Sequence, residues 1–207
     1  MSPFVTGLVL AAGGSSRLGR PKQLLPYGER TLLGHVLATA CGACPFDQLV
    51  VALGGSAAEV SSAVDLNGAD VVVNERYGTG CSSSIVAALD VVDPACDILV
   101  LMLGDQPGVT GAAVRSLLAG IGSAPLAVCR YEDGRGHPFA FSRTVFGELA
   151  ELHGDKGVWK LLDRHAADVV EVPVPGTVPA DVDTWADYEA VLAAAGLPVP
   201  KEALHGV

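Results

Sequence analysis

Three basic residues, Arg17, Arg20 and Lys22, fall within six positions of this chain, where even spreading of its 13 lysines and arginines would put about 0.4. They follow directly on Gly13-Gly14-Ser15-Ser16, and glycines in a turn let backbone N–H groups approach an anion closely. Arg17 offers a planar fork to two phosphate oxygens and Lys22 a compact, mobile charge. The segment from Leu10 to Pro26 therefore has the means to hold a triphosphate, although a solvated strand-to-helix connection would use the same residues. Two other glycine loops do not fit. The dinucleotide pattern begun at Gly13 needs glycine where Ser15 and Leu18 stand. The P-loop spacing from Gly14 to Gly19 is followed by Arg20-Pro21 in place of Lys and Ser or Thr.

An acidic counterpart comes later. The apolar run Asp97 to Leu103 ends in Gly104-Asp105-Gln106-Pro107, so Asp105 emerges at the C-terminal end of a predicted strand. Open α/β sheets gather ligands at that edge, and a carboxylate there can take a magnesium ion that bridges to phosphate oxygens. A turn-forming Asp before Pro107 is the alternative. A second carboxylate would complete a metal shell, and Asp181-Val182-Asp183-Thr184 stands just before a predicted helix, where Asp183 or Thr184 can act as the cap. Leu53-Gly54-Gly55-Ser56 ends another strand at the same edge, so its backbone could meet a base, or simply turn. Cys41-Gly42-Ala43-Cys44 has the spacing of a redox or half-zinc motif, but no second pair completes four ligands and packing accounts for it better.

The elements that must position these residues alternate between short aliphatic runs and Ala- and Leu-rich stretches, which predicts a mostly parallel sheet with crossover helices. The strands expected are Thr6 to Ala11, Gln48 to Leu53, Asp70 to Val73, Asp97 to Leu103 and Leu126 to Cys129, with Pro138 to Ser142 and Val169 to Val174 less regular and one of the later strands antiparallel. Helices are expected at Thr31 to Cys41, Ser56 to Val64, Ser82 to Val91, Thr110 to Ile121, Lys156 to Ala166 and Thr184 to Ala194, with Ser56, Thr110 and Thr184 as hydroxyl caps. Tyr131 to Pro138, rich in charge and glycine, reads either as a mobile loop over a site or as a surface hairpin.

At 207 residues the chain suits one domain, taken as residues 1–195 with a loose tail at 196–207. Half of the residues are hydrophobic and 17% charged, enough apolar material for a sheet covered on both faces. A net charge of −10 speaks against nucleic acid or an anionic membrane as partner. Five cysteines, an odd number, suit a reducing compartment. The apolar stretch Val5 to Ala12 lacks a basic residue before it and makes a poor signal peptide, and no apolar run reaches membrane-spanning length, so a cytoplasmic location is expected.

Leu10-Ala11-Ala12-Gly13, Arg17-Leu18-Gly19 and Pro21-Lys22-Gln23-Leu24-Leu25 together resemble the MobA-like nucleotidyltransferases, and Leu-Ala-Ala-Gly with Lys-Gln-Leu-Leu resembles the molybdenum cofactor cytidylyltransferase branch more than the guanylyltransferase one. The resemblance covers nearly the whole chain. It implies a three-layer α/β/α sandwich of the nucleotide-diphosphosugar transferase type, with Arg17, Lys22 and Asp105 as catalytic residues and Mg2+ held by Asp105 and Asp183. The nucleotide, CTP, would meet Leu10, Ala11, Ala12, Gly13, Gly14, Arg17, Lys22, Gly54, Gly80, Ser82 and Asp105. Gly134-Arg135-Gly136-His137-Pro138 and Gly154-Asp155-Lys156-Gly157 resemble acceptor-side loops, which makes Gly136, His137 and Asp155 the acceptor candidates. Without that likeness His137 reads as a solvated or structural imidazole, and Gly80 and Ser82 as a loop before a Ser-capped helix. The implied acceptor is a phosphorylated small molecule, molybdopterin loaded with molybdenum, and a recipient molybdoenzyme would follow. Two other classes stay open: an NAD(P)H-dependent oxidoreductase of a heterocycle, since some relatives carry that description, and a noncatalytic nucleotide-binding cofactor chaperone.

Overall fold

A computed structural model of the protein describes residues 2–200. The chain runs β1 (Val5–Ala11), a 3-10 turn (Lys22–Leu24), β2 (Pro26–Tyr27), β3 (Arg30–Thr31), α1 (Leu32–Ala43), β4 (Gln48–Leu53), α2 (Ala57–Ala63), β5 (Asp70–Val73), a second 3-10 turn (Tyr77–Thr79) and α3 (Ser82–Leu89). It continues through β6 (Ile98–Leu103), α4 (Gly111–Ile121), β7 (Leu126–Arg130), β8 (Arg135–Ser142), α5 (Phe146–Ala150), α6 (Gly157–Arg164), β9 (Val169–Pro173) and α7 (Trp185–Ala194).

Seven strands form one sheet in the order β5-β4-β1-β6-β8-β7-β9. β8 runs antiparallel to both its neighbours, while the pairings β1 with β4 and β6, β4 with β5, and β7 with β9 are parallel. The exception follows from chain length: only four residues separate β7 from β8, too few for a crossover. This hairpin corrects the mobile-loop reading of Tyr131 to Pro138. The Tyr131 N–H donates to Gly134 O at 2.8 Å and closes a tight turn.

Both faces of the sheet are covered. Val9, Val51, Val100 and Met102 pack under α1 and α4 through Leu33, Leu37, Val114 and Leu117. On the other face Leu8, Val50, Leu101 and Phe139 meet α3, α5 and α6 through Ile85, Leu149, Leu161 and Leu162. The expected three-layer sandwich results, and burial on both sides explains why β1 and β6 are nearly continuous apolar runs.

A third, smaller cluster positions the site. Tyr188 and Leu192 of α7, with Val182 before it, pack on Leu18, Leu25, Tyr27 and Leu32, and the Tyr188 hydroxyl donates to Pro26 O at 2.5 Å. Each leucine so buried is worth roughly 1.5–3 kcal/mol, enough to hold the long connection after β1 against the start of α7. Leu197 joins this cluster, so the expected tail is packed at its first residues, and 201–207 lie outside the described residues.

The hydroxyl caps divide. Thr110 accepts from Ala113 N, and Thr184 forms a full capping box with Asp187. Ser56 makes no side-chain cap bond, a correction explained by the bond from Ala57 N–H to Gly54 O, which already turns the chain there. The β2–β3 hairpin and the short α5 were not foreseen, being too brief to show a period.

Candidate active site

The C-terminal ends of β1 and β6 lie side by side, with Leu10 opposite Leu103, so the glycine loop and Asp105 leave the sheet at the same edge. Three contacts then shape the loop. The Gln23 amide donates to Ala11 O at 2.6 Å and Gly13 O at 3.2 Å, and the Lys22 N–H donates to Ser15 Oγ at 2.9 Å, with Ser15 at φ +50°. These bonds leave Gly13 and Gly14 exposed, with their backbone turned to the space above the strand.

Lys22 crosses that space. Its ammonium donates to Asp105 Oδ2 and, at 2.9 Å, to Asp183 Oδ1, while Arg17 reaches Asp183 Oδ2 at 2.7 Å. The four residues expected to carry the chemistry, Arg17, Lys22, Asp105 and Asp183, therefore meet, though 161 positions separate Lys22 from Asp183, and Arg20 has no part in these ion pairs. The segment that carries Asp183 is tied to the turn that carries Asp105. Val182 N–H donates to Asp105 O at 3.2 Å, and Gln106 Nε2 donates to Asp181 Oδ1 at 2.6 Å and Pro179 O at 3.0 Å. Thr184 takes the helix cap, which frees the Asp183 carboxylate for the cluster.

Charge follows from this geometry. Burial alone would lower the Lys22 pKa, but the field and hydrogen bonds of Asp105 and Asp183 outweigh it and the ammonium is held more firmly than usual. The hydrogen bond from Lys22, then its charge and that of Arg17, overcome partial burial and keep Asp183 ionised below the ordinary carboxylate range. Asp181 moves the other way, raised first by burial and then by the neighbouring Asp105 charge.

Beside the cluster lies a cleft of about 430 Å³. Its walls are the Leu10–Gly14 backbone, Lys22 and Gln23, the Tyr77–Cys81 turn, Leu103–Asp105, and Asp155. Of the nucleotide candidates, Leu10 to Gly14, Lys22, Gly80 and Asp105 border it, whereas Arg17, held by Asp183, is not among its walls and Gly54 and Ser82 lie behind them. Ser82 is buried with its N–H given to Gly154 O at 3.1 Å, and its Oγ has no partner. Gly54 lies under the Tyr77 ring: a Cβ there would stand 3.0 Å from it.

Of the acceptor candidates only Asp155 lines the cleft, where its carboxylate accepts from Cys81 N–H at 3.1 Å. Gly136 packs against Val178, and His137 stacks on Phe139 with ring centroids 4.1 Å apart. Burial lowers His137 to a pKa of about 4 from 6.5. The unfolded chain then binds the extra proton between those values, so this contribution to stability is complete above pH 6.5 and is lost as pH falls toward 4. The loss is roughly 2 kcal/mol, allowing for the residue's remaining contact with solvent. A His137→Phe variant should show a flatter decline of melting temperature over that window, and an unchanged slope would assign the decline to other groups.

Gln23, Tyr77 and Cys81 also border the cleft, though their residue types and spacing had given them no role. Gln23 stands beside Lys22 and was within reach of inference. Tyr77 and Cys81 fall in the segment Asn74 to Ser84, which the resemblance sets near the base and ribose, but the place of the Tyr77 ring itself depends on Gly54 and Gly55 leaving room for it. Cys41 and Cys44 are free and sit at the end of α1, where burial pushes the Cys44 thiol up to about 11.

A sheet with this strand order, opening at one edge onto a cationic glycine loop that faces two carboxylates, has the nucleotidyltransferase type of α/β fold. The chain belongs to the family of the MobA-like NTP transferase domain, which matches residues 7–169. It is 34% identical over 165 residues to nicotine blue oxidoreductase of Paenarthrobacter nicotinovorans, an overlap of 75% of this chain and 79% of the relative. Among solved structures it is similar to Rv0371c of Mycobacterium tuberculosis H37Rv in complex with manganese, at 52% identity and a TM-score of 0.83, covering 92% of this chain and 99% of that one. A nucleotidyl transferase from Methanothermobacter, 24% identical with a TM-score of 0.76 and covering 93% and 98% of the two chains, shares the fold. Among the described residues, no helix is long and apolar enough to cross a membrane.

Proposed function

We propose that the protein transfers CMP from CTP to a phosphorylated small-molecule acceptor, the molybdenum cofactor, releasing pyrophosphate. The observation that carries this reading is the meeting of Lys22, Arg17, Asp105 and Asp183 in one cluster, of which Lys22 and Asp105 line the glycine-walled cleft.

An acceptor phosphate monoester is already anionic at neutral pH. One of its oxygens attacks the α-phosphorus in line, a new P–O bond forms, and the bond to the β-phosphate oxygen breaks with its electron pair leaving on pyrophosphate. Such a nucleophile needs positioning and charge neutralisation more than a general base. The exposed backbone of Gly13 and Gly14 would hold the phosphates, and Lys22 and Arg17 would neutralise the charge that gathers on the leaving group. Asp105 and Asp183 are hard oxygen donors, and no group of three or more potential ligands exists among the described residues. That donor set suits Mg2+ or Mn2+, which bind through one or two carboxylates plus substrate phosphates and water. When bound, the ion supplies charge stabilisation at the transferring phosphate.

The Tyr77 ring also lines the cleft and would offer the base a face to stack on. That ring stands over Gly14, Gly54 and Gly55. Aromatic stacking on a base is worth about 1–3 kcal/mol, so Tyr77→Ala should raise the KM for CTP about tenfold while kcat changes little. An unchanged KM would remove Tyr77 from the base site.

The relative named as an oxidoreductase favours one second reading: reduction of a heterocycle by NAD(P)H. Against it, the chain after β1 passes through a 3-10 turn and a hairpin before α1 begins, so no helix N-terminus follows the first strand to receive a dinucleotide pyrophosphate. Release of pyrophosphate from CTP, GTP, ATP and UTP, each with Mg2+ and with or without molybdenum cofactor, separates the readings. A strong GTP preference would overturn the choice of nucleotide. Binding of CTP without turnover would favour the chaperone, and oxidation of NAD(P)H the reductase.

A further inference from the structure

Lys22 rests on the same two carboxylates that the proposed function gives to the metal, and a role for it between them depends on that reading. Its side chain is 11% exposed, and its ammonium is shared between Asp105 Oδ2 and Asp183 Oδ1. The backbone at this point is fixed by the 3-10 turn, by the bond to Ser15 Oγ, and by the Gln23 amide on either side of Ala12. The side chain is not pinned in the same way. It passes beside Gly13, where a Cβ would lie 3.4 Å from Lys22 Cε and 3.9 Å from Nζ. The ammonium thus stands between the loop that would hold phosphates and the acids that would hold the ion, and rotations along its four methylenes suffice to turn it from one to the other.

We propose that Lys22 is a removable cationic plug: in the nucleotide-free protein it neutralises Asp105 and Asp183 and keeps a divalent ion out, and it leaves when a triphosphate offers it other oxygens. A monovalent ammonium and a divalent ion cannot share two carboxylates at contact distance without strong repulsion. The ion and the nucleotide would therefore enter as partners, each improving the site for the other. A free protein that takes up no metal also leaves its two acids satisfied, since Lys22 meets the requirement that partly buried charges be paired.

The test is Mn2+ binding to the whole chain without nucleotide, followed by loss of the electron paramagnetic resonance signal of free Mn2+. Removing the plug in Lys22→Met should tighten binding about tenfold or more. Lys22→Gln should do the same if the methionine variant does not fold, and Lys22→Arg, which keeps the charge, should bind as weakly as the parent. Adding Asp105→Asn to Lys22→Met should abolish the gain. Unchanged Mn2+ affinity in both neutral variants overturns the plug, and does so even if the parent releases pyrophosphate normally. A gain that survives Asp105→Asn overturns it by putting the ion elsewhere, and takes the metal assignment of the proposed function with it.

Discussion

Asp105→Asn is expected to lower kcat for pyrophosphate release about a thousandfold while leaving the fold in place. The side chain leaves the end of β6 with one partner, the Lys22 ammonium. The backbone at the same residue does structural work independently, since its carbonyl accepts Val182 N–H at 3.2 Å and joins the two acidic segments. Asparagine keeps the shape and that carbonyl. It removes one of two formal charges that would hold a divalent ion, and an amide oxygen is a much weaker ligand. Lys22 would keep Asp183 at 2.9 Å, so the unfolding midpoint should move by only a few degrees, in line with about 1 kcal/mol for one lost contact. Turnover within tenfold of the parent, at saturating CTP and acceptor, would show that Asp105 holds no metal.

How far the sequence carried depends on the range over which each feature is decided. The central strands of the sheet were legible because burial on both faces makes them nearly pure aliphatic runs, as in Val5–Ala11 and Ile98–Leu103. An antiparallel strand was expected among the later ones, but not which, since the direction of β8 depends on the four-residue link to β7. Within the site, Lys22, Arg17 and Asp105 were legible because glycine, charge and strand end lie close together in the chain. Asp183 came through resemblance, and its closeness to Lys22 rests on Tyr188 and Leu192 packing against Leu18 and Leu25, a contact no local pattern encodes. His137 shows the opposite limit: the resemblance alone made it an acceptor candidate, while its type read as a solvated or structural imidazole, and the structure stacks it on Phe139, neutral and outside the walls of the cleft.

Gly80→Ala is expected to destabilise the protein by about 3 kcal/mol and to impair turnover with it. Gly80 adopts φ +111° and ψ 163°, a region open essentially to glycine alone. A methyl group there would stand 2.6 Å from the Gly154 carbonyl carbon, 2.8 Å from its Cα and 2.9 Å from Asp155 N, all backbone atoms that cannot rotate aside. This contact joins the two walls of the cleft. Ser82 N–H donates to Gly154 O and Cys81 N–H to the Asp155 carboxylate, each at 3.1 Å, and Gly157 leaves room for the buried Ser82 hydroxyl. The segment offered for the nucleotide and the loop offered for the acceptor are thus one hydrogen-bonded unit, so a change at Gly80, itself on the nucleotide side of the cleft, should disturb both substrates. Gly78 provides the control, because a Cβ there meets nothing within 4 Å and Gly78→Ala should stay within about 0.5 kcal/mol of the parent. Equal denaturant midpoints for the two variants would show that the walls are not joined in this way. A Gly80→Ala protein that loses stability but keeps both KM values would show that they are joined without governing the cleft.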